Sequence, residues 1–323
     1  MIFAGGMSGN HQILKTKTLA EMLKPQNSNV PLDFNFQIGL GWMLSTLGVS
    51  TIENAGTVAH HSGGTVLFHS QMYILPEHKL GVIVLSNSGT ARGVVDHVAT
   101  ETLTLALEAK SDIRQPTHSK VKPTNSPLDA ETINTYIGYY TTLLGFVQIS
   151  ACGKSLCANI ANHNFDLIRG NDGLYRLEYS LLGIFHIDLG NLGEIGLSRR
   201  TTKGRELIVG RIGSQEMLIG QRIQPLADLE TWRRHLGDYE ITNLADDYKF
   251  INHIHLSEER GFFLFEITPT KGEKMRAPLM PISGNEGIIL GPLSDGGDSI
   301  RIVMINGEER ILFSGYQLKK IVH

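Results

Sequence analysis

A chain of 323 residues with 41% hydrophobic and 19% charged residues, 35 glycines and a net charge of -3 reads as a turn-rich globular protein, long enough for two or three cores. Its 29 basic against 32 acidic residues give no electrostatic basis for binding nucleic acid or an acidic membrane, which depends on clustered Lys and Arg. Apolar runs such as Val82-Ile83-Val84-Leu85 fall far short of the ~20 residues that span a bilayer, so no membrane span is expected, and MIFAGGMSGN has no signal-peptide pattern.

Thr16 to Leu23 predicts a short helix, with Thr16 as its cap, Leu19, Met22 and Leu23 on one face and Pro25 as its stop. From Phe36 to Ser86 the pattern changes to strands: Gly39-Leu40-Gly41-Trp42, then Thr65 to Leu75, a turn at Pro76-Glu77-His78-Lys79, and Leu80 to Leu85. The last of these is apolar on both faces and predicts a strand inside a covered sheet. Its cover is the helix predicted over Thr90 to Ala109, with Val95, Val98, Thr102 and Leu105 on one stripe. Residues 110–132, with Pro116, Pro123 and Pro127 among Lys, Ser and Thr, read as a linker.

Beyond the linker the chain predicts an all-β region of short strands broken at sites such as Gly170-Asn171-Asp172-Gly173 and Thr270-Lys271-Gly272-Glu273. Tyr136-Ile137-Gly138-Tyr139-Tyr140 recurs as His235-Leu236-Gly237-Asp238-Tyr239, each copy after a helical turn (Ala130 to Thr135, Asp228 to Arg234). Met217-Leu218-Ile219-Gly220-Gln221-Arg222 likewise resembles Leu312-Phe313-Ser314-Gly315-Tyr316-Gln317. Two small β-barrels, residues 133–225 and 226–323, account for this repetition better than one large sheet.

Cys152 and Cys157 flank a Gly153-Lys154 turn; a disulfide between them is open, and two small core thiols are the preferred reading. His69, His163, His186, His253 and His255 fall in strand-like segments. His253 and His255 share a face, a metal pattern for which the sequence offers no third ligand, so an ordinary surface or core pair is preferred and neither metal nor cofactor is expected.

The chemistry-bearing stretch is His60-His61-Ser62-Gly63-Gly64. Phe36-Gln37-Ile38-Gly39-Leu40-Gly41-Trp42 precedes it, and Pro76 and Gly81-Val82-Ile83-Val84-Leu85-Ser86-Asn87 follow. Order and spacing resemble the end of the catalytic domain in the serine β-lactamase, penicillin-binding-protein, DD-peptidase and esterase superfamily, over residues 1–109. The resemblance implies an α+β fold: a partial β-lactamase-like domain, an antiparallel sheet with a helix, followed by two antiparallel lipocalin-like barrels as in D-aminopeptidases. It also implies that His61, Ser62 and Gly63 are the third active-site element. There Gly63 lets an acyl group approach the strand, and Gly64 supplies one oxyanion-hole N–H.

The family's Ser-x-x-Lys nucleophile and its Tyr-x-Asn or Ser-x-Asn element should precede this strand, and no Ser-x-x-Lys lies upstream of His61. Ser119-Lys120-Val121-Lys122 matches by letters but sits in the linker, and Ser8-Gly9-Asn10 matches the second pattern in a Gly-rich turn. Met1-Ile2-Phe3-Ala4-Gly5-Gly6 resembles the end of a family helix, which makes Met1 an internal methionine and the chain a truncated product, a misplaced start or half of a split protein.

Two functions follow. The chain is the C-terminal portion of a serine hydrolase acting on a small peptide, β-lactam or ester, D-amino-acid peptides among them, and inactive alone. Alternatively, it is a non-catalytic ligand- or partner-binding protein built on its tandem barrels. The first reading makes the missing N-terminal segment a partner, leaves an unpaired sheet edge that favours self-association, and implies a periplasmic or secreted intact protein, while this chain's own compartment stays open.

Overall fold

The computed structural model describes residues 1–46, 51–65, 67–117, 121–124, 127–181, 185–226, 230–270, 274–293 and 296–322. They fall into two compact units: Met1–Lys122 with Gly190–Gly196 and Gly210–Met217, and Pro123–Leu189 with Leu197–Val209 and Leu218–His323. Ser119-Lys120, the Lys271-Gly272-Glu273 turn and the Asp228 start of a predicted helical turn lie outside the described residues. Among the described residues no helix is long and apolar enough to cross a membrane.

The first unit opens with a hairpin of β1 (Met7–Ser8) and β2 (His11–Gln12), followed by α1 (Thr16–Met22). Leu19 is buried, while Met22 and Leu23 pack on Trp42, Ala59 and Ile74. Thr16 is not the cap, as the sequence suggested. Lys15 takes that position, and the Thr16 hydroxyl donates to the Gly5 carbonyl at 2.9 Å, tying the helix to the hairpin. Gly39 to Trp42 is likewise not a strand: the Gly39 amide donates to the Trp42 carbonyl, closing a turn that brings Met43 beside His60.

Strands β3 (Ala59–Gly64), β4 (His69–Leu75) and β5 (Leu80–Ser86) form an antiparallel sheet in that order, with the expected turn at Pro76 to Lys79. Helix α2 (Arg92–Ser111) covers one face. Its buried stripe is Val95, Ala99, Leu103 and Leu107, the last three packed with Tyr73, Leu75, Leu80, Val82 and Val84. Of the stripe read from the sequence only Val95 belongs; Val98 and Leu105 are exposed, because the contact follows i, i+4 steps from Val95. The expectation that β5 is covered on both faces also fails. Val82 and Val84 meet α2, but Ile83 and Leu85 on the opposite face are 65% and 76% exposed.

In the second unit, helix α3 (Ala130–Tyr136) leads into β6 (Gly138–Thr142), β7 (Gly145–Cys152), β8 (Ser155–Ile160), β9 (His163–Arg169) and β10 (Tyr175–Leu181). Then come β11 (Phe185–Ile187), the short α4 (Asn191–Glu194), β12 (Gly196–Thr202), β13 (Arg205–Ile212) and β14 (Gln215–Ile223), of which α4 and the residues around the β13–β14 turn are counted with the first unit. The sheet order β10-β12-β13-β14-β6-β7-β8-β9 closes through pairing of β9 with β10, and β11 adds to β10. The first barrel is thus eight strands with one appended.

Helix α5 (Glu230–Arg233) begins the second barrel. It runs through β15 (Gly237–Ile241), β16 (Ile251–Glu259), β17 (Phe262–Pro269), β18 (Met275–Pro281), β19 (Glu286–Leu290), β20 (Gly297–Ile305), β21 (Glu308–Phe313) and β22 (Tyr316–Lys320), and it closes as β22 pairs with β15. Alternate residues of these strands fill it, among them Tyr239, Ile254, Leu256, Phe263, Phe265, Ile300, Ile311 and Leu318, around Trp232.

The Gly-x-Tyr repeat marks the same device in each barrel. Tyr140 is buried and its hydroxyl donates to the Tyr136 carbonyl at 2.7 Å; Tyr239 is buried and donates to the His235 carbonyl at 2.5 Å. The second proposed repeat does not hold. Gly220 lies within β14, whereas Gly315 lies in the turn between β21 and β22.

The two barrels share a core of Phe146, Ile223, Phe262, Leu264 and Leu290. Five buried apolar side chains at about 2 kcal/mol each make a gross contribution on the order of 10 kcal/mol, as large as the net stability of a domain.

The preferred reading of Cys152 and Cys157 as thiols is overturned: they form a disulfide, with Cα atoms 5.8 Å apart. Cys152 pairs with Ser155 and Cys157 with Ser150, so the two sulfurs meet diagonally across the β7–β8 hairpin. On the C-terminal side of the sequence-defined linker, Pro123 bridges to Gly170 and the Thr124 amide donates to the Arg169 carbonyl.

Candidate functional site

His61, Ser62, Gly63 and Gly64 all lie on β3, at the edge of its sheet opposite β5, and all are exposed. Their direction follows from ladder parity. On the side of β3 away from β4, the His60 amide donates to the Met43 carbonyl and the Met43 amide to the His60 carbonyl, both at 2.9 Å. At the hairpin end, the Thr65 amide donates to the Phe68 carbonyl, toward the β4 side. Successive residues of a strand point their amides to alternate sides. His60, Ser62 and Gly64 therefore direct N–H and C=O off the open edge, while His61, Gly63 and Thr65 direct theirs to the β4 side. An acyl oxygen lying along this edge meets the Gly64 N–H without any rearrangement of the strand.

Behind Gly63 stands the Ser70 side chain, which would have to turn aside for any larger residue. A Cβ there would come within 2.6 Å of the Ser70 hydroxyl on β4. At Gly64 it would lie 3.1 Å from the His69 ring, which is itself held by a 3.1 Å bond to the Gly89 carbonyl. Nδ1 of His61 donates to the Ser62 carbonyl at 2.7 Å.

Behind the motif lies a buried polar relay that the sequence reading did not find. The His60 side chain is buried; its Nε2 donates to the Ser45 carbonyl at 2.9 Å, and Nδ1 faces the Gln71 amide at 3.5 Å. The imidazole stacks on Tyr73 with ring centres 4.8 Å apart, and the Tyr73 hydroxyl donates to Asp96 on α2 at 2.8 Å. The motif strand is thus tied to α2 through the sheet. The only sequence signal was an apolar-face parity shared by His60 and Tyr73, and it becomes a contact only through the register that puts them opposite one another.

Burial holds the His60 imidazole below the ordinary value of 6.5, with the bond to Ser45 and the charge of Asp96 opposing. The unfolded chain therefore takes up this proton first as pH falls, so stability is complete above 6.5 and declines as pH drops from 6.5 through the lowered folded value. Thermal unfolding at pH 7.5 and 5.5 is expected to show a smaller acid shift in His60→Gln than in the parent. Equal shifts would assign the acid sensitivity elsewhere.

Ser8-Gly9-Asn10 occupies the exposed turn of the β1–β2 hairpin.

Residues 2–104 match the family model described as Beta-lactamase. No curated protein matches. Similar solved structures include SurE with D-Leu (19% identity, TM-score 0.41, covering 66% of this chain and 45% of that one) and SurE alone (17%, 0.41, 66% and 43%). Another is the octameric penicillin-binding protein homologue from Pyrococcus abyssi (14%, 0.27, 69% and 44%). The chain spans less than half the length of these matched chains.

Proposed function

Residues 2–104 are a segment of the β-lactamase family, and from this premise we propose that the chain is the C-terminal portion of a serine hydrolase that cleaves amides or esters, D-amino-acid peptides among them. Residues 1–109 supply one wall of the active site, and the barrels of residues 133–225 and 226–323 follow the linker 110–132. The observation that carries this reading is the outward-facing amide of Gly64 on an exposed glycine edge inside the family-matched segment. In the reaction, a serine oxygen adds to the substrate carbonyl. The resulting oxyanion accepts from the Gly64 N–H and from the nucleophile's own amide. Its collapse breaks the C–N or C–O bond, the amine or alcohol leaves with the proton given up by the serine, and water then hydrolyses the acyl-enzyme to the free acid and the serine.

The Ser-x-x-Lys element that would supply the nucleophile does not occur upstream of His61 in this sequence. Without it the purified chain is expected to leave a chromogenic β-lactam and a short-chain ester at the background rate, since loss of a nucleophile costs about 10⁶ in kcat in a serine hydrolase. Turnover by the purified chain that Gly63→Trp abolishes would overturn this.

A further inference from the structure

Among the described residues, one group of side chains has the donors and the spacing of a metal site: Asp238, His253 and His255, whose ligand atoms all lie within 4.8 Å of one another. We propose that these three residues bind a divalent transition metal ion, zinc in the first place. The proposal does not depend on the hydrolase reading, because the residues belong to the second barrel.

The strand register builds the site. On β15 and β16, Tyr239 faces Ile254 and Gly237 faces Leu256, and Tyr239, Ile254 and Leu256 point into the barrel core. Asp238 and His255, the pair between them, therefore stand together on the outer surface, and His253, two residues before His255, joins the same face. This supplies the third ligand that His253 and His255 lacked in the sequence, from a residue 15 positions upstream of His253 that only the ladder brings near.

The geometry is close to a loaded site. Asp238 Oδ1 lies 3.0 Å from His253 Nε2 and 2.5 Å from His255 Nδ1. The two rings are nearly parallel, 15° apart in plane, with centres separated by 6.0 Å. Ligands held about 2.0–2.1 Å from zinc sit roughly 3.4 Å apart around a tetrahedron. The present spacings reach that arrangement by side-chain rotation on a fixed ladder. A metal would replace the two carboxylate–imidazole contacts with three coordinate bonds.

The donor set selects the ion. Two imidazoles with one carboxylate suit zinc and its neighbours, whereas calcium and magnesium take oxygen ligands. The side chains of Asp238, His253 and His255 are 28%, 46% and 32% exposed, so an ion reaches the site from solvent and water completes its shell. Three protein ligands and an open position are the arrangement of an accessible zinc site and not of a closed structural one.

The test uses the tag-free full chain, purified through a chelator and titrated with zinc chloride by calorimetry, with thermal unfolding as a second readout. One zinc per chain is expected, together with a rise in Tm that grows with zinc concentration. His253→Ala and Asp238→Asn are each expected to weaken binding by about 100-fold or more and to remove the zinc-dependent rise in Tm, as loss of a ligand exceeds the 10–100-fold cost of losing its supporting partner. His163→Ala, an exposed histidine on β9, should bind as the parent does. Far-UV circular dichroism checks that each variant is folded, and His253→Gln replaces any that is not. Absence of binding by the parent, or equal binding by parent, His253→Ala and Asp238→Asn, overturns the proposal.

Discussion

Mixed with a separate segment that bears Ser-x-x-Lys and Tyr-x-Asn, the chain is expected to gain labelling by a fluorescent penicillin or an activated phosphonate, and to show less of the self-association expected of the chain alone. The expectation rests on two surfaces of the first unit. Strand β5 is an edge strand whose Ile83 and Leu85 are exposed, and α2 leaves Val94, Val98 and Leu105 exposed on the side away from its buried stripe. Exposed edges with apolar side chains pair with whatever strand is offered, another copy of the chain included. A segment of the same family that adds strands beside β5 would satisfy both the backbone and the apolar face. It would also bring a serine to the open edge of β3. The gain in kcat should approach the ~10⁶ that separates a complete serine hydrolase from one without its nucleophile. Gly63→Trp should remove the gain while leaving in place the pairing of the segment with β5, at the opposite edge of the sheet. A monodisperse chain that neither binds the segment nor becomes labelled would mean that residues 1–109 have their own closed fold.

Gly145→Ala is expected to destabilise the second unit by about 2–5 kcal/mol, the sum of backbone strain at positive φ and of overpacking against an immovable neighbour. Gly145 has a φ of +87°, and a Cβ there would be driven into the backbone carbonyl oxygen of Arg276, on β18 of the other barrel. Main chain cannot swing aside as a side chain can. The contact sits beside Phe146, within the apolar cluster that joins the barrels. Gly204→Ala separates the two contributions: its φ is +75°, yet a Cβ there would meet nothing within 4 Å, so only the ~1–2 kcal/mol conformational cost applies. Urea unfolding midpoints of the two variants provide the measurement. A Gly145→Ala protein no less stable than Gly204→Ala would show that the junction yields to accommodate the methyl group.

Local patterns were legible in the sequence wherever the next few residues decide the structure. The Pro76 to Lys79 turn, helix α1, the extent of α2 and the Tyr140 and Tyr239 starts of the barrels were of this kind. The His-x-Gly strand was legible only through the order and spacing of the segments around it, which resemble the family's, since the tripeptide itself carries little signal. What could not be read depends on partners distant in sequence. The face of α2 that is buried is set by Tyr73 and Leu75 across the sheet, and the His60 relay needs Asp96 brought in by α2. Asp238 meets His255 only once the β15–β16 register exists. The same holds for the cysteines, whose diagonal meeting depends on the register that the two-residue turn at Gly153-Lys154 sets between β7 and β8.

The tyrosine bonds that open each barrel bear on the order in which the chain acquires its shape during synthesis. Tyr140 bonds to a carbonyl four residues earlier, as does Tyr239, and a closure of that length needs no remote partner. Each barrel can therefore fix its first strand against its leading helix while the remaining strands are still unmade. Closure is another matter: in the second barrel it joins Tyr239 to Lys320, almost at the end of the chain. Until β22 has been made, β15 is paired at one side and open at the other, so this barrel cannot close before its last strand is available.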